Sequence, residues 1–339
     1  MFFGNDEKTI KEAVKAILDN KLVAIPTETV YGLGANAYLA ESARKVYAAK
    51  GRPSDNPLIV HVNDSADASL FAETNETYKK LAKRFMPGPL TVILPKKDVI
   101  PDEVTGGLRT VAVRCPSNPI ARELIRRSGV PIAAPSANLS GKPSPTCAEH
   151  VMQDMDGRIA MVIDGGECEI GLESTVIAVS GNSANVLRPG AVTPDMLRSA
   201  GIAVTVDEAV TDPAKAGSAP QSPGMKYKHY APKAKAVIFS GAPEHVVSAI
   251  CRRYDEQTAK GERVAILGLD EHRYGDRTFI SLGSEKRPQE AAARLFAALR
   301  ELDERGDTVA LCEAVDTAGI GLAVMNRMGR AAAFDIEQV

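Results

Sequence analysis

"AAKGRPSDNPLIVHV", residues 48–62, carries a helix end, a stiff polar turn and an apolar strand in one short stretch. Lys50-Gly51-Arg52 reads as the end of a helix. Pro53 and Pro57 then bracket Ser54, Asp55 and Asn56, and "LIVHV" follows as a strand in which His61 shares its face with Ile59. A helix passed through a short loop into an apolar strand is the repeating step of an α/β sheet.

The same step recurs on both sides. Upstream, residues 7–20 place Ile10, Val14, Ile17 and Leu18 on one helical face, Asn20 suits a helix stop, and "KLVAIP" is a short strand closed by Pro26. Downstream come a helix near 74–85, "LTVIL", "TVAVR", a helix near 118–128, "VPIAA", a helix near 146–154, "AMVID" and "STVIAV". This alternation predicts an α/β domain whose sheet is partly parallel and partly mixed, with helical cover. A helix near 194–200 closes it. Residues 206–234 hold four prolines, two glycines and little apolar periodicity, and read as a linker. "AVIFS", a helix near 243–257, "RVAILGL", "TFISLG", a helix near 288–304, "TVALCEAV" and a helix near 320–333 then make a second, smaller α/β unit. The expected division is 1–205, 206–234 and 235–339.

Length and composition bound the function. The 339 residues suit two domains of ordinary size. With 25% charged and 44% hydrophobic residues the composition is that of a globular protein, and no apolar run approaches the roughly 18 residues needed to span a bilayer. The N-terminus "MFFGNDEKTIKEAV" lacks the pattern of a secretory signal, so a cytoplasmic location with no membrane partner is expected. Five cysteines at long intervals, none in a C-x-x-C pair, fit neither a disulfide framework nor a zinc knuckle. A net charge of −2 is far from the basic footprint of a nucleic-acid-binding protein, and small substrates are the first expectation.

Several stretches could carry chemistry. In "PTETVYGLGANA", residues 26–37, two threonines and Glu28 precede Gly32 and Gly34. Either this is a strand-to-helix turn whose hydroxyls cap the helix, or the glycines let the backbone approach a ligand closely. In the opening stretch, Lys50 and Arg52 could merely complement a helix C-terminus, but two prolines fixing Ser54, Asp55 and Asn56 suit a polyanion site better. His61, taken alone, reads as a hydrogen-bonded core histidine. Arg114 ends the apolar strand of "TVAVRCPSNPIA", where it could form an internal ion pair or hold the carboxylate of a small acid. "APSANLSGKPSPT", residues 134–146, gathers hydroxyls, an amide and a glycine able to line a phosphate or nucleoside site. "GLESTVIAV" and "VLRPG" add Ser174 and Arg188 at further strand edges, whereas Walker-type, H-E-x-x-H and G-x-S-x-G signatures are absent. "SPGMKYKHYAPKAK", residues 222–235, reads as a lid in preference to a nucleic-acid arm, given the net charge.

Taken together, "PTETVYGLGA", "AKGRPSDNPLIVHV", "PGPLTVIL", "TVAVRCP", "PIAAPSANLSGKPSPT", "IDGG", "GLESTVI", "VLRPG" and "SPGMKYKHYAPKAK" resemble, in order, the signatures of the threonylcarbamoyl-AMP synthases. The first 200 residues are similar to the YrdC-like catalytic domain, and the remainder resembles the long two-domain form. The resemblance implies a YrdC-like twisted mixed sheet with a smaller Rossmann-like α/β unit, and formation of L-threonylcarbamoyl-AMP, pyrophosphate and water from L-threonine, bicarbonate and ATP. It implies Mg2+ carried in with the nucleotide, no metal site on the protein, and hand-off to a separate transferase that modifies tRNA. By motif it places Thr29, His61, Arg114, Ala134 and Ser174 around threonine. Arg52, Asn56, Thr110, Ser136, Asn138, Ser144, Arg188 and Tyr230 fall around ATP, with Lys50 and Arg52 catalytic in a K-x-R and S-x-N signature. Glu28 and His61 are candidates for a general base by position alone. Two rivals stand beside this reading. One is a protein that binds tRNA or double-stranded RNA in the same basic groove; the other is a carbamoyl-transfer enzyme acting on carbamoyl phosphate. Neither explains a paired amino-acid site.

Overall fold

The computed structural model describes residues 2–3, 6–212 and 230–339, which fall into two compact units. The first takes the described residues up to 212 except Gly141–Pro143; the second takes Gly141–Pro143 and residues 230–339.

The first unit runs β1 (Phe2–Phe3), α1 (Glu7–Leu18), β2 (Val23–Ile25), β3 (Gly32–Asn36), α2 (Ala40–Lys50), β4 (Ile59–His61), α3 (Glu76–Phe85), β5 (Leu90–Pro95), α4 (Asp102–Thr105), β6 (Thr110–Arg114), α5 (Pro119–Ser128), β7 (Ile132–Ala133), α6 (Ala148–Met155), β8 (Met161–Ile163), β9 (Thr175–Ser180), β10 (Ser183–Arg188), α7 (Pro194–Ser199) and β11 (Ala203–Val206). The strands form one mixed sheet in the order β1-β8-β2-β3-β7-β4-β6-β5-β9-β10-β11. Alternate residues of β2 feed different apolar clusters: Val23 and Ile25 pack with Ile10 and Ile17 of α1 and Leu124 of α5, while Ala24 packs with Val46 of α2 and Leu81 of α3. Helices therefore cover both faces, and the strands can be apolar throughout. Local chemistry sets the helix ends. Asp6 accepts the Thr9 amide at 2.9 Å to start α1, Asn118 accepts the amides of Ile120 and Ala121 to start α5, and Gly51 ends α2 in the left-handed region at φ 62°.

One edge of the sheet collects the polar ends of several strands. β4 and β6 are parallel and end together, with His61 opposite Arg114; Arg114 is opposite Thr91 at the start of antiparallel β5, and Thr91 is opposite Val176 of β9. β10 returns alongside β9 so that Arg188 lies opposite Val176. His61, Arg114, Thr91 and Arg188 thus lie along one row across the strands.

The second unit runs β12 (Lys235–Ser240), α8 (Pro243–Ala259), β13 (Val264–Gly268), β14 (Phe279–Ser281), α9 (Pro288–Arg305), β15 (Val309–Glu313), α10 (Gly321–Ala331) and β16 (Ile336–Gln338). Its sheet is parallel throughout, in the order β14-β13-β15-β12-β16, and β13 is buried at every residue. This is the expected Rossmann-like α/β arrangement.

Three expectations need correction. Residues 26–37 are not a turn leading into a helix: Gly32–Asn36 form β3, antiparallel to β2, and α2 begins at Ala40, preceded by Leu39, which offers no side-chain cap. The glycines are there because a Cβ on Gly32 would meet Ala134 Cβ at 3.2 Å and one on Gly34 would meet the Val23 carbonyl at 3.1 Å. The regular chain continues past 205 through β11, parallel to β10, and a 3-10 turn at Glu208–Val210. Gly141–Pro143, inside a loop expected wholly in the first domain, belong to the second unit. Most of the expected lid, 222–235, lies outside the described residues. No helix among the described residues is long and apolar enough to cross a membrane.

Candidate active site

The loop after β7 is the frame of the site. It is hydrogen-bonded along its length to its neighbours: the Ala134 amide to the Ile59 carbonyl (2.9 Å), the Leu33 amide to Pro135 (2.7 Å), the Ala137 amide to Tyr31 (2.8 Å), the Ser140 amide to Lys50 (2.8 Å) and the Tyr31 amide to Pro145 (2.9 Å). Lys50, only 2% exposed at the end of α2, points its ammonium at this loop and donates to the carbonyls of Ser136 and Asn138, the latter at 2.6 Å. The K-x-R and S-x-N segments therefore meet through Lys50. Asn138 also offers its side-chain oxygen to Lys50 at 3.4 Å and donates Nδ2 to the Leu139 carbonyl.

Arg52 stiffens the adjoining turn. Its Nε donates to the Asn56 carbonyl (3.2 Å) and Nη2 to the Pro57 carbonyl (3.1 Å). Asn56 is buried by this turn, yet its Oδ1 has no hydrogen-bond donor among the described residues. A buried amide oxygen left open costs about 1–3 kcal/mol unless a ligand serves it. Thr110 starts β6, half-buried.

At the sheet edge Arg114 meets Glu28, on the loop between β2 and β3, with Nη2 2.8 Å from Oε1 and both side chains 5% exposed. The contact is an ion pair, not an aligned hydrogen bond: neither carboxylate oxygen, nor Arg114 Nε and Nη2, has an aligned partner. Burial is the largest influence and opposes the Glu28 charge, but the Arg114 guanidinium, with help from the nearby backbone amides of Glu28 and Ser117, holds the carboxyl below its ordinary range. His61 donates Nδ1–H to the Ile59 carbonyl at 3.1 Å. Burial, and then the Arg114 charge, push its pKa down to about 3, so the ring is neutral with Nε2 as the remaining acceptor. On the same loop, Thr27 Oγ1 donates to the Val30 carbonyl at 2.6 Å and lies 2.9 Å from Thr29 Oγ1, so these hydroxyls lock the loop itself and cap no helix.

Farther along the row, Ser174 Oγ lies 2.7 Å from Thr91 Oγ1 and accepts from Arg188 Nη2 at 3.2 Å, while Arg188 Nε donates to the Ser174 carbonyl at 3.0 Å. Ser144 Oγ donates to Glu173 Oε1 at 2.6 Å. Tyr31 accepts the Gly165 amide and donates to the Gly166 carbonyl, joining the "IDGG" turn to the frame.

The structure thus brings Lys50, Ser136 and Asn138 together, and separately His61, Arg114, Thr91 and Arg188 along one row, with Ser174 hydrogen-bonded to Thr91 and Arg188. Tyr230 belongs to the second unit, where its buried ring packs 5.0 Å from that of Phe296 and the Arg327 guanidinium stands 6.0 Å from its centroid. Three pairings are not legible in the sequence: Glu28, a general-base candidate only by position, with Arg114; Thr91 with Ser174; and Glu173 with Ser144. An arginine ending an apolar strand demands a counter-charge, but residue spacing alone does not say which carboxylate supplies it.

Comparison with known proteins agrees with this architecture. Residues 15–190 match the Sua5/YciO/YrdC family model, described as telomere recombination, and residues 192–333 match that of the threonylcarbamoyl-AMP synthase C-terminal domain. The chain is 46% identical over 333 residues to the threonylcarbamoyl-AMP synthase of Bacillus subtilis, covering 97% of this chain and 94% of the relative. It is 44% identical over 335 residues to that of Pyrococcus abyssi, covering 98% and 97%. A solved structure of P. abyssi Sua5 complexed with L-threonine superposes with a TM-score of 0.94 at 43% identity, covering 100% of this chain and 99% of that one. With both models matched in succession over nearly the whole chain, it belongs to the Sua5/YciO/YrdC family, in the form that carries the threonylcarbamoyl-AMP synthase C-terminal domain.

Proposed function

We propose that the chain is a threonylcarbamoyl-AMP synthase: L-threonine, bicarbonate and ATP give L-threonylcarbamoyl-AMP, pyrophosphate and water. The observation that carries this is the pair of buried arginines, Arg114 and Arg188, set in one row across the strand ends, with His61 beside and Thr91 and Ser174 between them. Two guanidiniums in one row can hold an amino-acid carboxylate and a polyphosphate at a fixed separation.

In this reading Arg114, His61, Thr29, Ala134 and Ser174 surround threonine, and Arg52, Asn56, Thr110, Ser136, Asn138, Ser144 and Arg188 surround ATP. Asn56 Oδ1, buried and without a donor, suits a nucleotide N–H. The carbamate oxygen attacks the α-phosphate and pyrophosphate leaves, so positioning and charge neutralisation supply most of the rate. Arg52 and Arg188 offset charge on the phosphates. Lys50 contributes its charge from beneath the loop, since it spends protons on the Ser136 and Asn138 carbonyls. Mg2+ enters with the nucleotide as part of the substrate. The adenylate passes to a separate transferase acting on tRNA. Pyrophosphate release from ATP, measured with L-threonine and bicarbonate added singly and together, tests the reading. Release that needs both supports it; release with neither, or none, refutes it.

A further inference from the structure

The synthase reaction must dispose of a proton. L-Threonine arrives with an ammonium that has no lone pair to offer a carbon, so one proton has to leave before a carbamate can form. His61 is a poor acceptor, because its buried ring faces the Arg114 charge. Glu28 is differently placed. Its buried carboxylate lies 2.8 Å from Arg114 Nη2 with neither oxygen engaged in an aligned hydrogen bond. The groups around it are Arg114 from β6, His61 from β4, the neutral thiols of Cys115 and Cys168, and the Ser117 amide.

We propose that Glu28 is the proton acceptor for the substrate ammonium and that the substrate's own carboxylate switches it on, an assignment that rests on the synthase reading. In the free protein Arg114 stabilises the Glu28 carboxylate and keeps it a weak base. When the threonine carboxylate takes the guanidinium, Glu28 shares its cation with a second anion where water cannot compensate, and desolvation raises its proton affinity. The ammonium N–H bond breaks towards Glu28, leaving a neutral amine and a carboxylic acid. The amine lone pair forms the N–C bond to the bicarbonate carbon, the C–OH bond breaks, and a second amine proton joins the departing hydroxide to give water and the carbamate anion. The proton on Glu28 returns to solvent when product leaves and Arg114 faces the carboxylate again.

Two measurements on the full chain test this. Glu28→Gln lowers threonine-dependent pyrophosphate release by about 100-fold at pH 7, in the range of lost general-base catalysis. That defect shrinks as pH rises and the free amine becomes abundant unaided, whereas a structural loss would persist unchanged. The second measurement needs no variant. Binding of 2,3-dihydroxybutanoate, which has the carboxylate but no ammonium, is followed by calorimetry near pH 6.5 in two buffers of different ionisation enthalpy. The analogue takes up close to one proton per site, because Glu28 must then protonate from solvent, while L-threonine brings its own proton and takes up none. A Glu28→Gln rate equal to wild type, a defect constant with pH, or an analogue that binds without proton uptake would each overturn the assignment and leave the synthase reading intact. Absence of threonine- and bicarbonate-dependent pyrophosphate release from the wild-type protein would overturn both.

Discussion

Acid should destabilise the first unit through His61 before it does so through any carboxylate, and the size of the effect follows from burial. The His61 ring is enclosed between β4, β6 and β7 and faces Arg114, so its folded-state pKa is about 3 against 6.5 in the unfolded chain. A group whose folded pKa is depressed in this way binds protons in the unfolded state first, so stability falls as pH drops through 6.5 and the loss levels off near 3. Linkage then gives about 2.5 kcal/mol lost between pH 7 and pH 4.5, at about 1.4 kcal/mol per pH unit once the unfolded histidine is mostly protonated. Glu28 acts in a separate window: its depressed carboxyl contributes stability above the ordinary carboxylate range that is lost only as pH falls below about 4.5. The perturbation is His61→Gln, which keeps a donor for the Ile59 carbonyl and removes the titration. Urea unfolding of both full-length proteins, followed by circular dichroism at pH 7.0 and 4.5, should show wild type losing about 2.5 kcal/mol more than the variant. Equal losses in the two proteins would refute the buried, neutral histidine.

Other perturbations separate framework from chemistry. Lys50→Met keeps the aliphatic stem but leaves the Ser136 and Asn138 carbonyls without their donor, so it should cost about 2–4 kcal/mol in urea unfolding and weaken threonine and ATP binding together. Arg114→Leu strands a buried Glu28 and should cost about 3–5 kcal/mol; Arg114→Leu with Glu28→Leu should regain most of that stability while threonine binding, read by calorimetry, stays lost. Gly190→Ala drives a Cβ to 2.5 Å from the Thr175 amide, a backbone atom that cannot swing away, so thermal unfolding should show a loss of at least about 1–3 kcal/mol.

Sequence periodicity located the long helices and the apolar strands because burial writes itself directly into residue spacing. It failed where spacing carries little information. "GLGAN" looks like a turn because its glycines lack side chains, yet the close approach of Ala134 and the Val23 carbonyl is what makes it a strand. Ala203–Val206 is half-exposed at the sheet's edge and shows no apolar run, so the strand is not legible in the sequence and the expected domain end at 205 falls inside it. The candidate site was legible as residue types but not as partners. Lys50 and Arg52 read as phosphate-binding cations, whereas the fold turns much of their hydrogen bonding onto loop carbonyls. Arg114 left two readings open, and the structure shows the first of them, an internal ion pair with Glu28 in which its Nε and Nη2 have no aligned acceptor. Glu28 could be matched to Arg114 only after β2, β3 and β6 were placed, because pairing across nearly ninety residues is a property of sheet order.

The most direct test of the account is to incubate the purified protein with ATP, L-threonine and 13C-bicarbonate and weigh the adenylates formed. The account predicts a threonylcarbamoyl adenylate one mass unit heavier than that made from ordinary bicarbonate, formed with pyrophosphate and lost in Arg114→Leu. An unlabelled adenylate, or no adenylate while ATP is bound, would contradict it.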